Sequence, residues 1–395
     1  MRLLWLKYGE LLPVDTGGKL RSFNLLRQLG SRVDLCFVSY ADLAHDPDYP
    51  ARIAEVLPGS RFIAAADVPG WREVAAAPVL RSMRTGAPLN VSRFASALVR
   101  RQLASWLRAE RFDVVLCDFL TPTLCLPALD GITSVLFEHN VESAVWARRA
   151  RTIAPGPRRL LYEWEARATL RWERRMLHRF DRTLAVSEAD RAELQALAPG
   201  ARVDVVETGV DVAAFQPEVP RTRSDNVVVF LGSMDWQPNE DGVIWFAEAV
   251  WPLVRAAVPD AVFRVVGRRP SARVQELRGP GIEVTGDVVS VVPHLAEAAL
   301  TVVPLRAGGG TRLKIFEAMA AGAPVVSTTL GAEGLPVVHD RDIVIADGVA
   351  ELASAVTGLL GNRDRREQVA EAARRTAASH DWSAIAARLV DHLAA

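Results

Sequence analysis

Short runs of apolar and β-branched residues alternate along the whole chain with longer segments whose apolar positions recur at helical spacing. This alternation predicts βαβ units and therefore parallel sheets. The predicted strands of the first half are 2–8, 32–40, 61–66, 113–118, 133–140, 182–187 and 203–209. Those of the second half are 226–234, 261–268, 281–287, 300–305, 323–328 and 342–346. Two such series predict an α/β protein with two doubly wound sheets.

The helical pattern predicts helices between these strands, at 18–29, 92–110, 240–257, 271–278, 311–321, 349–360 and 364–379. Prolines and polar residues interrupt both patterns at 211–226, where the domain boundary is expected. The expected organisation is an N-terminal Rossmann-like domain over 1–215, a C-terminal Rossmann-like domain over 216–379, and a last helix over 380–395. That helix follows the second domain and could cross back to the first.

The segment 141–182 is rich in arginine and carries tryptophans at helical spacing, including Trp164 and Trp172. One interpretation is a long amphipathic helix that packs on the first domain and leaves its arginines in solvent. The other is a surface that meets anionic lipid or a lipid-linked acceptor, because Trp and Arg suit the membrane interface. Three interleaved glutamates weaken the second interpretation: Glu163, Glu165 and Glu173.

Composition excludes several classes of protein. The formal net charge is +0, which gives no support to a nucleic-acid partner. The three cysteines, Cys36, Cys117 and Cys125, have no metal-binding spacing and suggest buried thiols in a reducing compartment. No apolar run reaches the ~18 residues of a membrane span, and the N-terminus lacks a signal-peptide core. We expect a cytoplasmic protein, and peripheral contact with the inner face of the membrane stays open.

A glycine-rich element at 304–330, "PLRAGGGTRLKIFEAMAAGAPVVSTTL", carries the strongest chemical signal. Glycines let a ligand approach the backbone, and the helix start behind them offers unpaired N–H groups and partial positive charge, which suits phosphate. Arg312 or Lys314 would add a full charge, and Glu317 could accept two hydroxyls of a ribose. Lys314 is notable because only three of the 47 basic residues are lysine. The element predicts a cradle for a nucleoside diphosphate.

The element differs from two common phosphate-binding motifs. It lacks the Gly-Lys-Ser/Thr of a Walker loop, and it does not follow the first strand of its domain as a dinucleotide fingerprint would. The first strand of the chain is followed instead by the Gly17-Gly18 pair, which opens another helix. We expect that second helix start to point at the same interdomain cleft.

These motifs together resemble the group 1 glycosyltransferases of the GT-B fold, the retaining, glycogen-synthase-like enzymes that use nucleotide sugars. The resemblance covers nearly the whole chain. Its marks are Gly17-Gly18, "FEHNVES" (137–143), "AVSEADR" (185–191), "ETGVDVAAF" (207–215), "FLGSMDWQPNEDG" (230–242) and "GGGTRLKIFEAMAAGAPVVST" (308–328). The resemblance implies two doubly wound Rossmann-like domains facing an interdomain cleft, with the acceptor on the N-terminal side and the donor on the C-terminal side.

The resemblance also implies roles for individual residues. Glu317 would hold the donor ribose, and His139 would lie beside the transferred sugar, although a core hydrogen bond or a helix cap is the simpler role for His139. Gly17 and Gly18 would approach the diphosphate and the sugar from the other domain. The diphosphate would be held by backbone and basic side chains drawn from this set: Gly309, Gly310, Thr311, Arg312, Leu313, Lys314 and Arg268.

The sequence departs from the wider family at two places. Gly309 stands where many relatives have a glutamate that contacts the donor sugar, which puts the identity of that sugar in doubt. The loop "GSMDWQPNEDG" lacks the arginine and lysine that usually reach the diphosphate. Lys314, Arg312 or Arg268 would have to replace them.

The implied reaction is transfer of a hexose from a nucleotide-diphosphate sugar to an acceptor hydroxyl, with retention of anomeric configuration. The acceptor could be a sugar, a lipid-linked glycan or a small molecule. No His/Cys cluster is present, so we expect no metal and no cofactor. Two alternatives remain, a non-catalytic relative that serves as a binding subunit and a nucleotide-sugar 2-epimerase.

Overall fold

The computed structural model describes residues 1–43, 46–65, 68, 76–216, 223–307 and 313–395. The chain divides into two compact units. The N-terminal unit comprises Met1–Glu207 and Ile385–Ala395, and the C-terminal unit comprises Thr208–Ala384. The division thus falls at residue 207 rather than at the predicted 215, because Val210 pairs with Asp381 and packs in the core of the C-terminal unit.

A parallel sheet of seven strands forms the centre of the described N-terminal unit, in the order β3-β2-β1-β4-β5-β6-β7. The strands are β1 (Arg2–Tyr8), β2 (Asp34–Ala41), β3 (Arg61–Ala64), β4 (Val114–Asp118), β5 (Thr133–Phe137), β6 (Arg182–Ala185) and β7 (Val203–Val205). Apolar side chains fill both faces of the central strands, as expected when helices cover both sides of a parallel sheet.

Helices connect these strands and cover the sheet. They are α1 (Gly17–Leu29), α2 (Tyr49–Val56), α3 (Ala76–Thr85), α4 (Leu89–Ser92), α5 (Ala97–Ala109), α6 (Glu142–Thr152), α7 (Pro157–Arg179) and α8 (Glu188–Leu197). A 3₁₀ turn spans Thr121–Cys125. The hydroxyl of Thr16 accepts a hydrogen bond from the backbone N–H of Lys19 and so caps the start of α1.

The C-terminal unit repeats this topology with a parallel sheet of six described strands, in the order β10-β9-β8-β11-β12-β13. The strands are β8 (Val227–Leu231), β9 (Val262–Val266), β10 (Ile282–Gly286), β11 (Leu300–Val303), β12 (Val325–Ser327) and β13 (Val344–Ile345). Both orders are those of doubly wound sheets, so the predicted α/β class with two such sheets is confirmed.

The helices of the C-terminal unit are α9 (Gln237–Trp245), α10 (Trp251–Ala257), α11 (Ala272–Gln275), α12 (Val292–Glu297), α13 (Leu313–Ala320), α14 (Val349–Leu360) and α15 (Arg363–Ser379). A π-helical turn, Phe246–Val250, joins α9 to α10, and a 3₁₀ turn spans Ala213–Phe215. The last helix, α16 (Trp382–Ala394), begins in the C-terminal unit, and its residues from Ile385 onward belong to the N-terminal unit. No helix in the described part of the chain is long and apolar enough to span a bilayer.

The arginine-rich segment 141–182 forms two helices rather than one long helix. Gly156 has a φ of 157° and Pro157 occupies the first position of α7, so the chain breaks before α7 begins. The carboxylate of Glu173 accepts hydrogen bonds from the backbone N–H of Glu142 (2.7 Å) and from the side chain of Ser143, and thereby caps the start of α6. The polar residues of α7 therefore serve local structure as well as solvation.

A buried acidic cluster lies beside this cap. Glu138 directly follows β5, is 1% exposed, and neither of its carboxyl oxygens has a hydrogen-bond partner in the described structure. Burial, with the neighbouring Glu173 and Glu142 carboxyls, raises the pKa of Glu138 well above its ordinary value. Burial likewise raises the pKa of Glu173 to about 7. The carboxyl of Glu138 is therefore harder to ionise in the folded protein than in the unfolded chain.

Replacing this carboxyl should make the protein more stable at high pH. The unfolded chain ionises Glu138 near its usual pKa of about 4.3, whereas the folded protein ionises it only at higher pH. The free energy of unfolding therefore falls as pH rises from the unfolded pKa to the folded pKa. Glu138→Gln keeps the shape and removes that loss. Urea unfolding should show a gain that is larger at about pH 8 than at about pH 5. The exposed Glu193→Gln is the control, and an equal gain at both pH values would contradict the raised pKa of Glu138.

Candidate functional site

Both sheets reverse their strand order at one point, and the candidate residues lie there. In the N-terminal unit β1 pairs with β2 on one side and with β4 on the other. In the C-terminal unit β8 pairs with β9 and with β11. Ligands of open α/β sheets bind outside the carboxyl ends of the strands at this switch point. The switch point thus gives each unit one expected ligand site.

Asp118, the last residue of β4, is the centre of a buried network in the N-terminal unit. Its Oδ2 accepts hydrogen bonds from Lys7 Nζ (2.9 Å), Ser22 Oγ (2.7 Å) and Trp5 Nε1 (3.0 Å), and its Oδ1 lies 2.7 Å from His139 Nε2. Burial alone would raise the pKa of Asp118, but the Lys7 ammonium and the His139 ring hold it below its ordinary range. The carboxylate therefore stays ionised.

The hydrogen bonds of His139 define its tautomer. Its Nδ1 lies 2.9 Å from Arg21 Nη1, and a guanidinium can only donate, so Nδ1 is the acceptor and Nε2–H donates to Asp118. Burial lowers the pKa of His139 to about 4, against the opposing effect of Asp118. Burial also lowers the pKa of Arg21 to about 10, which leaves it charged at neutral pH. His139 is thus a neutral ring with both nitrogens engaged inside the unit.

The ring of Phe119 lies between His139 and Gly18 of the Gly17-Gly18 pair. Phe119 has a φ of 73°, a left-handed conformation that costs an aromatic residue strain and that occurs often at functional sites. Its ring stacks on His139 with the centroids 3.9 Å apart. A Cβ at Gly18 would lie 2.8 Å from Phe119 Cζ, whereas one at Gly17 would meet no described atom within 4 Å. Gly18 is therefore required for this packing, and Gly17 is free of that restriction.

Lys314, in the first turn of α13, reaches the loop that follows β8. Its Nζ donates a hydrogen bond to Asn239 Oδ1 (2.7 Å) and lies 4.4 Å from the centroid of the Phe230 ring. The buried Asn239 in turn donates from Nδ2 to the carbonyl of Ser233 (2.8 Å), which fixes the orientation of its amide. A Cβ at Gly232 would lie 2.7 Å from Lys314 Nζ. The ammonium thus lies beside the loop that follows β8.

Two further predicted residues lie in the same unit as Lys314. Glu317 follows one turn later on α13, and burial raises the pKa of its carboxyl while Lys314 lowers it. Arg268 is exposed just after β9, and its Nε donates to Ser233 Oγ (3.0 Å). Arg268 therefore contacts the loop after β8 directly at Ser233, and Lys314 is joined to the same residue through Asn239 of α9.

The remaining predicted site residues make no described contact that bears on the site. Leu313 begins α13 and is partly buried. Four predicted residues lie outside the described residues: Gly309, Gly310, Thr311 and Arg312. Within the described ranges, no group of three or more His, Cys, Asp or Glu side chains could hold a metal ion.

Two family models match the chain in succession. The model described as Glycosyltransferase Family 4 matches residues 24–214, and the model described as Glycosyl transferases group 1 matches residues 225–362. Together they span both units, and their order agrees with the fold. The chain is a group 1 glycosyltransferase of the GT-B fold. The resemblance inferred from the sequence motifs is thereby confirmed.

This glycosyltransferase is similar to curated and solved relatives over most of its length. It is 27% identical over 303 residues to a phosphatidyl-myo-inositol mannosyltransferase of Propionibacterium freudenreichii, covering 73% of this chain and 72% of the relative. A sucrose-phosphate synthase of Thermosynechococcus elongatus shares the fold with a TM-score of 0.68 at 14% identity, covering 99% and 98% of the two chains. HepE of Anabaena, solved with UDP-glucose, has a TM-score of 0.64 at 14% identity, covering 100% of this chain and 99% of that chain.

Sequence reasoning missed the network around Asp118 in the glycosyltransferase. Two signals in the sequence could have indicated it. Asp118 ends the apolar run "VVLCD", and Lys7 is one of only three lysines. Arg21 carried no signal beyond its place one turn after Gly18. Asn239 lay within a quoted motif but gave no sign that it would hold Lys314.

Proposed function

We propose that the protein transfers a hexose from a nucleotide-diphosphate sugar to an acceptor hydroxyl, with retention of anomeric configuration and without a metal. The observation that carries the proposal is the position of the Lys314 ammonium, 2.7 Å from Asn239 Oδ1 beside the loop after β8. That loop lies at the switch point of the C-terminal unit, where a nucleotide is expected. HepE, which shares the fold, was solved with UDP-glucose.

The C-terminal unit would hold the departing nucleoside diphosphate. Breaking the bond between sugar and phosphate leaves negative charge on the diphosphate, and a charge fixed in advance stabilises it without reorganisation. Lys314 supplies that charge in the proposal, aided by the start of α13 and by Arg268. Glu317, whose carboxyl has its pKa raised by burial, would accept two ribose hydroxyls.

The N-terminal unit would serve the sugar and the acceptor. His139 has both nitrogens hydrogen-bonded and a pKa of about 4, so it is suited to form a rigid wall beside the sugar rather than to act as a base. In a front-face reaction with retention, the departing phosphate can take the acceptor proton, so no side-chain base is needed. Gly17 and Gly18 keep their proposed place beside the sugar and the diphosphate.

The acceptor proposed here is a hydroxyl of a glycolipid or a lipid-linked glycan. The relative from Propionibacterium freudenreichii is a phosphatidyl-myo-inositol mannosyltransferase, which supports a lipid acceptor. A soluble sugar or a small molecule is the other acceptor class. The reaction is placed in the cytoplasm, where nucleotide sugars are made.

A ligand screen tests the donor assignment. UDP-, GDP- and TDP-sugars are added to the purified protein, and one of them should raise the thermal midpoint by several degrees, since a ligand at a hundred times its Kd adds about 2.7 kcal/mol. Glu317→Ala should keep the midpoint of the free protein, lose most of that rise and increase the donor KM. No rise with any nucleotide sugar would favour a non-catalytic relative, and an unchanged rise in Glu317→Ala would remove Glu317 from the site.

A further inference from the structure

The outer side of α6 and α7 is strongly basic. Exposed arginines lie along both helices: Arg148, Arg149, Arg151, Arg158, Arg167, Arg171, Arg174, Arg175 and Arg179. The protein as a whole has a formal charge of +0, so this concentration is local. A patch of one sign on a neutral protein indicates a partner of the opposite sign.

The glutamates of α7 do not neutralise this patch, because two of the three point into the protein. Glu165 is buried, and its carboxylate accepts hydrogen bonds from the backbone N–H groups of Leu89 (3.0 Å) and Asn90 (2.7 Å) at the start of α4. Glu173 of α7 is also buried, and its carboxylate accepts a hydrogen bond from the backbone N–H of Glu142 at the start of α6. Only Glu163 remains partly exposed, paired with Arg159 at 2.9 Å. Of the three glutamates that weaken a lipid-binding interpretation in the sequence, only Glu163 therefore adds negative charge to this surface.

Large apolar side chains are exposed at the start of α7 and on α3. Leu160, Leu161 and Trp164, in the first two turns of α7, are 66%, 51% and 40% exposed. On α3, Leu80 and Met83 are 59% and 78% exposed. The two helices are neighbours, since Arg175 Nη1 on α7 donates to the carbonyl of Thr85 at the end of α3 (3.4 Å). Exposed apolar groups beside arginines are typical of helices that lie in a membrane interface.

We propose that α7, together with α3, docks the protein on an anionic lipid bilayer. The leucines and Trp164 would enter the interface, and the arginines would meet the phosphate-bearing headgroups. Charge complementarity favours an anionic bilayer over a second copy of this chain as the partner of this surface. A second copy of this chain would bring arginine against arginine, whereas an anionic bilayer neutralises all of them. The proposal does not depend on the identity of the donor, although it would bring the enzyme to a lipid acceptor.

Vesicle co-sedimentation of the full chain tests the proposal. Wild type should bind vesicles that contain phosphatidylglycerol, bind pure phosphatidylcholine weakly, and be released by salt. Arg171→Glu/Arg174→Glu should lower the partition coefficient on anionic vesicles by about tenfold or more. Leu160→Ser/Leu161→Ser should also lower it, by several-fold.

Two matched controls carry the same chemical changes elsewhere. Arg100→Glu/Arg101→Glu changes two exposed arginines of α5, and Leu253→Ser changes a 47% exposed leucine of α10. Both should bind anionic vesicles like wild type, and all variants should keep the wild-type thermal midpoint and activity on a soluble acceptor. Absence of wild-type binding to anionic vesicles, or equal binding by the α7 variants, would overturn the proposal. A wild-type dimer that Leu160→Ser/Leu161→Ser dissociates would overturn it too, in favour of a second copy.

Discussion

Lys314→Ala is expected to lower kcat/KM for the nucleotide sugar by two or more orders of magnitude, about the ~3 kcal/mol that one preorganised charge-stabilising donor supplies. The ammonium is held by Asn239 and lies over Phe230, so it needs no rearrangement when the diphosphate departs. The loop after β8 contains no arginine or lysine that could replace it. Steady-state kinetics with varied donor would measure the loss.

Two companion variants make this result specific to the ammonium. Lys314→Arg should recover only part of the loss, because a planar guanidinium cannot occupy the same space beside Gly232. Asn239→Ala should lower kcat more than it raises the donor KM, since it removes the positioning of Lys314 and keeps its charge. If Lys314→Ala binds UDP, GDP or TDP as before and keeps its turnover, the charge lies elsewhere, and Arg312 becomes the candidate.

Asp118→Ala should lower the free energy of unfolding by about 3–5 kcal/mol, because it leaves the buried Lys7 ammonium without its counter-charge. Lys7 and Asp118 are 4% and 1% exposed, so solvent cannot replace the lost partner. Three further donors, Ser22, Trp5 and His139, lose their acceptor at the same time. Urea denaturation followed by tryptophan fluorescence would report this change, since Trp5 lies in the network.

The control for this variant is Asp130→Ala, which removes an exposed carboxylate and should change stability by no more than about 0.5 kcal/mol. Lys7→Met in the Asp118→Ala background should restore part of the loss, because the unpaired charge is then gone. Equal effects of Asp118→Ala and Asp130→Ala would show that the network does not stabilise the fold.

The strand pattern predicted the topology well because buried parallel strands leave a local mark. Each is a short run of apolar residues, and every described strand falls within or next to a predicted run. The ends were less predictable. β5 ends at Phe137, although the backbone N–H of Glu138 still donates to the carbonyl of Leu184 on β6. The side chains of Glu138 and His139 then enter the two buried clusters. The break before α7 was visible as Gly156-Pro157, but the helical spacing on either side concealed it.

The candidate site was predictable only where a residue type was itself unusual. Lys314 was singled out because lysine is rare in this chain, and Gly18 because a glycine pair followed a strand. Their roles stay predictions. The Asp118 network was missed because its residues come from β1, α1, β4 and the end of β5. These segments are far apart in the sequence and become neighbours only when the sheet forms. The capping roles of Glu165 and Glu173 were missed for the same reason, because their partners lie 75 and 31 residues away.

NMR of the reaction mixture would show whether the protein transfers a sugar from a nucleotide sugar with retention of configuration. The protein is incubated with the nucleotide sugar that raises its thermal midpoint, with a lipid-linked or sugar acceptor, and with excess EDTA. Nucleoside diphosphate should be released only when acceptor is present, and the new glycosidic bond should have the anomeric configuration of the donor. Release that requires Mg²⁺ or Mn²⁺, a product of inverted configuration, or an epimerised donor formed without acceptor would contradict this prediction.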